Sequence, residues 1–145
     1  MIFGNHTVPL SEKCKLDLPA NYRGTMGLSV YVTQGFDRNL MVLSQEAFNT
    51  ICSHLGSTSI SDPLSRLLRR LFLGGAQELI VADSGQIELP THLCEYAGLT
   101  GEVILVGQGE YSEIWSPALW QEQVESLKDH EANSNRFEKF NISLA

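Results

Sequence analysis

"KLDLPANY" (residues 15–22) returns seventy-one positions later as "QIELPTHL" (residues 86–93). Each copy reads aliphatic, acidic, Leu, Pro, and then a short helix-like segment. The residue that opens each copy differs, with Lys15 in the first and Gln86 in the second. An internal repeat governs architecture more strongly than any local signal, because it sets how many copies of a unit must share one core. The match continues outward with small insertions: "YVTQGFDRNLMVLSQEAF" (31–48) resembles "LVGQGEYSEIWSPALW" (105–120).

Local signals agree with a duplicated plan. "LSVYV" (28–32) and "EVILVG" (102–107) are apolar, β-branched runs bounded by glycines and predict strands. "NLMVL" (39–43) and "YSEIW" (111–115) predict partner strands across the Gln34-Gly35 and Gln108-Gly109 turns, so each half holds a hairpin. Pro19 and Pro90 suit the first turn of a helix, where a missing N–H costs nothing. Ser44 is placed to cap a helix over 45–55, and Ser116-Pro117 opens another that runs to about residue 130.

Between the halves, "DPLSRLLRRLFLGG" (62–75) carries its own start and stop signals in Asp62, Pro63 and Gly74-Gly75. Leu64, Leu67, Leu68, Leu71 and Phe72 follow helical spacing and predict a core-facing stripe, with Arg66, Arg69 and Arg70 on the other face. Beyond residue 131 the chain reads as a polar, irregular tail, in which Phe137, Phe140 and Leu144 are docking candidates. The expected organisation is a first repeat over 1–56, a linking amphipathic helix over 57–75, a second repeat over 76–130 and a tail over 131–145. A unit of about fifty residues is too small to be stable alone. The economical architecture is therefore α+β, a pseudo-twofold arrangement with a small barrel-like sheet core shared by both repeats and flanked by helices.

The composition, 43% apolar and 19% charged, suits a soluble globular protein. No run reaches the roughly 18 apolar residues of a membrane span, and the N-terminus reads as lacking a signal peptide. Three cysteines without framework spacing favour reduced thiols in a cytoplasm. The net charge of −7 hides a gradient: residues 1–73 hold seven basic and five acidic residues, whereas residues 74–145 hold three and twelve. An anionic partner is expected to meet the first half.

Catalytic and metal readings fail on spacing. Cys52-x-His54 and His92-x-Cys94 lie in predicted helices, where i and i+2 do not share a face. Gly107-Gln108-Gly109 is followed by a strand and not by the helix a phosphate loop requires. No Ser–His–Asp, Cys–His or paired-carboxylate pattern stands out, so neither enzyme, metal nor cofactor is expected.

The repeated "[RKQ]-[ILV]-x-[LIV]-P" core, "RLFLGGA" (70–76) and "LVGQ" (105–108) with a later Trp together resemble the MraZ family. The resemblance covers about residues 1–130 and implies two SpoVT-AbrB-type DNA-binding repeats in one chain. It further implies a transcriptional regulator of the division and cell-wall gene cluster, cytoplasmic and nucleoid-associated, assembled as a ring on short repeated DNA sites. The family motif, close to D-x-K-G-R, maps onto Ser11-Glu12-Lys13-Cys14-Lys15 and Ala82-Asp83-Ser84-Gly85-Gln86. Both copies depart from it. Lys15 is a point charge where Arg presents a planar fork, and Gln86 can pair with adenine but releases no counterion.

The DNA-facing candidates are therefore Lys13, Lys15, Arg23 and Gln86, each weighed against an ordinary solvated loop or helix end. Arg66, Arg69 and Arg70 fit either a solvated helix face or an inter-subunit contact with the acidic half of a neighbour. Cys14, in place of a turn glycine, is an exposed thiol between two lysines and a candidate for oxidation. A rival reading is a ring-forming scaffold on the same fold that has lost DNA recognition. A toxin-paired antitoxin relative fits less well, because the chain lacks a long disordered segment.

Overall fold

Strand β1 (Asn5–Pro9) turns into β2 (Lys15–Asp17), followed by helix α1 (Ala20–Met26), the hairpin β3 (Ser29–Gln34) and β4 (Leu40–Leu43), and helix α2 (Gln45–Gly56). This is the order in the computed structural model, which describes residues 1–142. After helix α3 (Pro63–Phe72) the same order returns as β5 (Gln77–Ile80), β6 (Gln86–Glu88), α4 (Thr91–Ala97), β7 (Glu102–Gly107), β8 (Tyr111–Trp115) and α5 (Pro117–Leu127). The expected strands, hairpins and Pro-led helices are all present.

The repeats exchange strands. β1 pairs with β7 of the second repeat, and β5 pairs with β3 of the first. The hairpins meet at β4 and β8, with Leu40 opposite Ile114 and Leu43 opposite Tyr111. The resulting antiparallel sheet runs β1-β7-β8-β4-β3-β5, and its pseudo-twofold axis passes between its two central strands. β2 and β6 form a separate two-stranded ribbon in which Leu16 lies opposite Ile87. Period-2 alternation then turns those two side chains inward and their neighbours outward. Burial of each is worth roughly 1.5–3 kcal/mol.

The expected barrel does not close. β1 and β5 end the six-stranded sheet, and the ribbon is a second sheet with its own ladder. The chain leaves the large ladder at the tight turns after β1 and β5, so the core is covered by a second layer instead of by closure. That core holds Leu16, Leu18, Tyr22, Val30, Val32 and Leu40 from one repeat with Ile87, Leu89, Leu93, Val103, Leu105 and Ile114 from the other. Tyr22 occupies the position that Leu93 fills in the second repeat, and its hydroxyl meets Ser112 Oγ at 3.0 Å. Ser112 Oγ donates to Val106 O, which leaves Tyr22 as donor to Ser112.

Helix α3 sits differently from its expected stripe. Phe72 is buried at 3% exposure, but Leu64 and Leu67 are 72% and 60% exposed. The inward face is Ser65, Leu68, Arg69 and Phe72, one position away from the leucine stripe. This face meets the end of α2, where Leu55 O accepts from Thr58 N at 3.0 Å and from Thr58 Oγ1 at 2.6 Å. Arg69 ties the junction further, with Nη2 donating to Leu55 O at 2.7 Å and to Thr58 O at 3.0 Å. Phe72 meanwhile stacks on Phe48, which stacks on Tyr31, in a second small core with Met41, Leu43 and Leu55.

The tail is also more ordered than its composition suggests. α5 stops at Leu127, and Asp129 caps a further helix, α6 (His130–Phe137), by accepting from Ala132 N at 3.0 Å. Asn133 Nδ2 donates to Leu127 O and Arg136 Nη2 to Ser126 O, both at 2.8 Å, so α6 folds back to close the end of α5. Phe137 and Phe140 stay exposed at 44% and 61%, undocked on their own chain. Leu144 lies outside the described residues.

The Tyr22–Ser112 contact yields an ordered pair of outcomes in urea unfolding. Tyr22→Phe leaves Ser112 bonded to Val106 and is expected to cost about 1 kcal/mol. Ser112→Ala strands a buried phenol hydroxyl and is expected to cost about 2 kcal/mol.

Candidate nucleic-acid interface

The two motif loops are built alike. In the first, Ser11 N donates to Lys15 O and Cys14 N to Ser11 O, each at 2.9 Å. In the second, Ala82 N donates to Gln86 O at 2.9 Å and Gly85 N to Ala82 O at 2.7 Å. Each turn needs a residue at positive φ before its strand, and the positions are Cys14 at 62° and Gly85 at 88°. Glycine meets that demand freely, whereas a residue with a Cβ is held there at a cost of about 1–2 kcal/mol. Ser11 Oγ also accepts from Lys15 N at 3.1 Å, a bond Ala82 cannot make.

Each loop is laced to the opposite repeat. Leu18 N donates to Gly85 O at 2.9 Å, and Leu89 N donates to Cys14 O at 2.8 Å. The antiparallel ribbon therefore places the two loops at opposite ends of one outward face. On that face Lys15 stands opposite Glu88, and Gln86 stands opposite Asp17. Lys13 is exposed and Lys15 half-buried; among the described residues neither joins an ion pair. With Glu12 and Asp83 in the loops, the cations of this region are interleaved with carboxylates and form no continuous positive strip.

Arg23 occupies a different place from the other candidates. It lies on α1 and reaches the second loop, where Nη1 donates to Asp83 O at 3.3 Å and Nη2 to Ser84 O. Its guanidinium lies over Gly85 so closely that a Cβ there would collide with it. The position equivalent to Arg23 in the second repeat is Cys94, and Cys94 faces Cys14, the equivalent of Gly85. Burial, with the Cys14 thiol beside it, pushes the Cys94 thiol from its ordinary 9.0 up to about 12. Laying the two copies over each other at their seventy-one-residue offset shows which positions are equivalent, but not that they reach across to the opposite loop.

Of the arginines on α3, Arg66 Nη1 donates to Ile60 O and Ser61 O of its own chain, and Arg69 closes α2. Arg70 is exposed on the side that carries Leu67. Cys52 and His54 lie on α2, and His92 and Cys94 lie on α4. No described helix is long and apolar enough to cross a membrane. The Arg23 clasp has a direct check in amide hydrogen exchange: Arg23→Ala is expected to speed exchange at Gly85 N and Gln86 N severalfold while Cys14 N stays as protected as before.

Comparison with known proteins places this geometry among relatives. The family model described as "MraZ protein, putative antitoxin-like" matches residues 72–140. Proteins named transcriptional regulator MraZ are similar over most of both chains. The one from Herpetosiphon aurantiacus is 32% identical over 89% of this chain and 90% of its own. That from Kocuria rhizophila is 34% identical over 86% and 87%, and that from Thermomicrobium roseum is 36% identical over 88% and 89%. The chain belongs to the MraZ family.

Proposed function

We propose that the protein is a DNA-binding transcriptional regulator whose first loop and ribbon face carry the contact, in keeping with the names of its relatives. The observation that supports this reading is the presentation of two like turns at the two ends of one outward ribbon face, with Lys13 and Lys15 at one end. Lys13 and Lys15 hold phosphates, and Gln86 offers an amide to a base edge. Arg23 acts through the second loop, whose carbonyls it holds, more than through a phosphate. The target read from the resemblance is the division and cell-wall gene cluster, including the protein's own promoter, with the protein at the nucleoid.

A single copy presents too little positive charge to bind tightly, because Asp17 and Glu88 sit across the ribbon from Gln86 and Lys15. Ring assembly on repeated sites compensates, since several weak patches on one particle act at high effective concentration. Arg70, Leu64 and Leu67 are the α3 residues left for the inter-subunit contact. Arg66 and Arg69 serve that contact by shaping the helix start and the α2–α3 junction. The interleaved carboxylates favour the second reading, a scaffold on the same fold without DNA recognition.

Two measurements check these assignments. In fluorescence anisotropy over a salt series, DNA from upstream of its own gene is expected to bind selectively over scrambled DNA. Lys15→Ala should reduce the slope of log K against log salt by about 0.9 per lost phosphate contact. Equal, weak binding to both DNAs, unmoved by Lys15→Ala, would establish the scaffold instead. Light scattering after size exclusion is expected to show an oligomer that Leu67→Asp reduces to smaller species, with the helical circular dichroism retained.

A further inference from the structure

Cys14 holds a backbone conformation that its counterpart Gly85 meets without a side chain. The turn itself is built equally well by glycine, so the cysteine side chain adds a chemical group that the turn does not need. Across the repeat interface Cys14 packs against the core cluster that contains Cys94, and Cys94 stands at the position from which Arg23 covers Gly85 in the other copy. Cys94 is buried on α4 within the main core, and Cys14 packs against that core from its margin. Cys14 also lines an open cleft of about 410 Å³ with Leu10, Ser11, Glu12, Leu99 and Thr100. The pair is thus one buried thiol and one that solvent can reach.

The pseudo-twofold axis sharpens the contrast. At the equivalent contact, the second loop is held by Arg23 over Gly85, through hydrogen bonds to two loop carbonyls. The first loop has a dithiol in the same place. A clasp of charge on carbonyl is permanent, whereas a thiol pair can be covalently closed or left open.

We propose that Cys14 and Cys94 form an oxidisable dithiol site, which a peroxide closes into a disulfide that fastens the first loop to α4. The thiolate of Cys14 attacks one peroxide oxygen, the O–O bond breaks, and the departing hydroxide takes a proton to become water. Cys14 is left as a sulfenic acid. The sulfur of Cys94 then attacks the Cys14 sulfur and loses its proton, the S–S bond forms, and the S–O bond breaks to release a second water. Two thiols lose two electrons and the peroxide gains them. Closure restrains residues 11–15, and on the reading that Lys13 and Lys15 face DNA it also changes DNA affinity.

The test uses the full chain treated with a modest excess of hydrogen peroxide and then alkylated and digested. The expected result is a loss of 2 Da per chain and a Cys14–Cys94 linked peptide, with Cys52→Ala indistinguishable from the parent. Cys94→Ala should instead accumulate sulfenic or sulfinic acid at Cys14. Cys14→Ser should leave Cys94 unmodified, which serves equally if Cys94→Ala folds poorly. Slower amide exchange across residues 11–15 of the oxidised protein is expected by tenfold or more. A parent protein that gives free Cys14 oxyacids or intermolecular disulfides in place of the internal link overturns the site. If the link forms, anisotropy of oxidised and reduced protein decides its consequence: a shift of threefold or more, reversed by dithiothreitol, supports regulation, and equal affinity overturns regulation alone. Absence of selective DNA binding by the reduced protein overturns the DNA reading and leaves the peptide-map result standing on its own.

Discussion

The structure depends on one antiparallel contact, the three-residue ribbon in which Leu16 of the first repeat faces Ile87 of the second. Both side chains are nearly fully buried, so a register slip of one residue would turn them outward and drive Lys15 or Gln86 into the core. Strand exchange locks that register from both ends. β1 pairs with β7, and β5 with β3, in registers that agree with the ribbon's own alignment of the repeats. Neither half has a complete sheet without the other, which is why so small a unit occurs twice in one chain.

The same contact places the functional elements. Each motif loop is hydrogen-bonded to the segment that follows the other repeat's ribbon strand, through Leu18 N on Gly85 O and Leu89 N on Cys14 O. The backbone satisfies both loops alike, and side chains are therefore free to diverge at equivalent positions. They have done so in a size-matched way. The large Arg23 lies over a glycine, while the small Cys94 leaves room for a cysteine. The loss of charge from Lys15 to Gln86 belongs to the same divergence, since the fold needs only that an aliphatic residue follow.

Two elements show where local reading fails. The leucines of α3 follow a regular stripe, yet the helix turns Ser65 and Arg69 inward, where Arg69 bonds Ser65 Oγ and Leu55 O at the α2–α3 junction. Hydrogen bonds from a charged donor contribute as much as burying a leucine, so a cation can outcompete an aliphatic side chain for an inward position. The tail reads as irregular because Asn133, Ser134 and Asn135 are weak helix formers. A cap at Asp129 and the bonds from Asn133 and Arg136 to the end of α5 stabilise α6 in spite of them.

While the motif loops were placed by the family resemblance, the amino-acid sequence by itself determined the duplication, the hairpins and the Pro-led helices. Those features rest on short-range periodicity, turn residues and self-similarity, all of which a linear chain displays. Tertiary structure alone decided that the repeats exchange their first strands, that the sheet stays open, and that Arg23 and Cys94 each reach across to the other repeat's loop. Such contacts join residues forty-five or more positions apart, and their partners are selected by which surfaces the folded sheets leave facing one another.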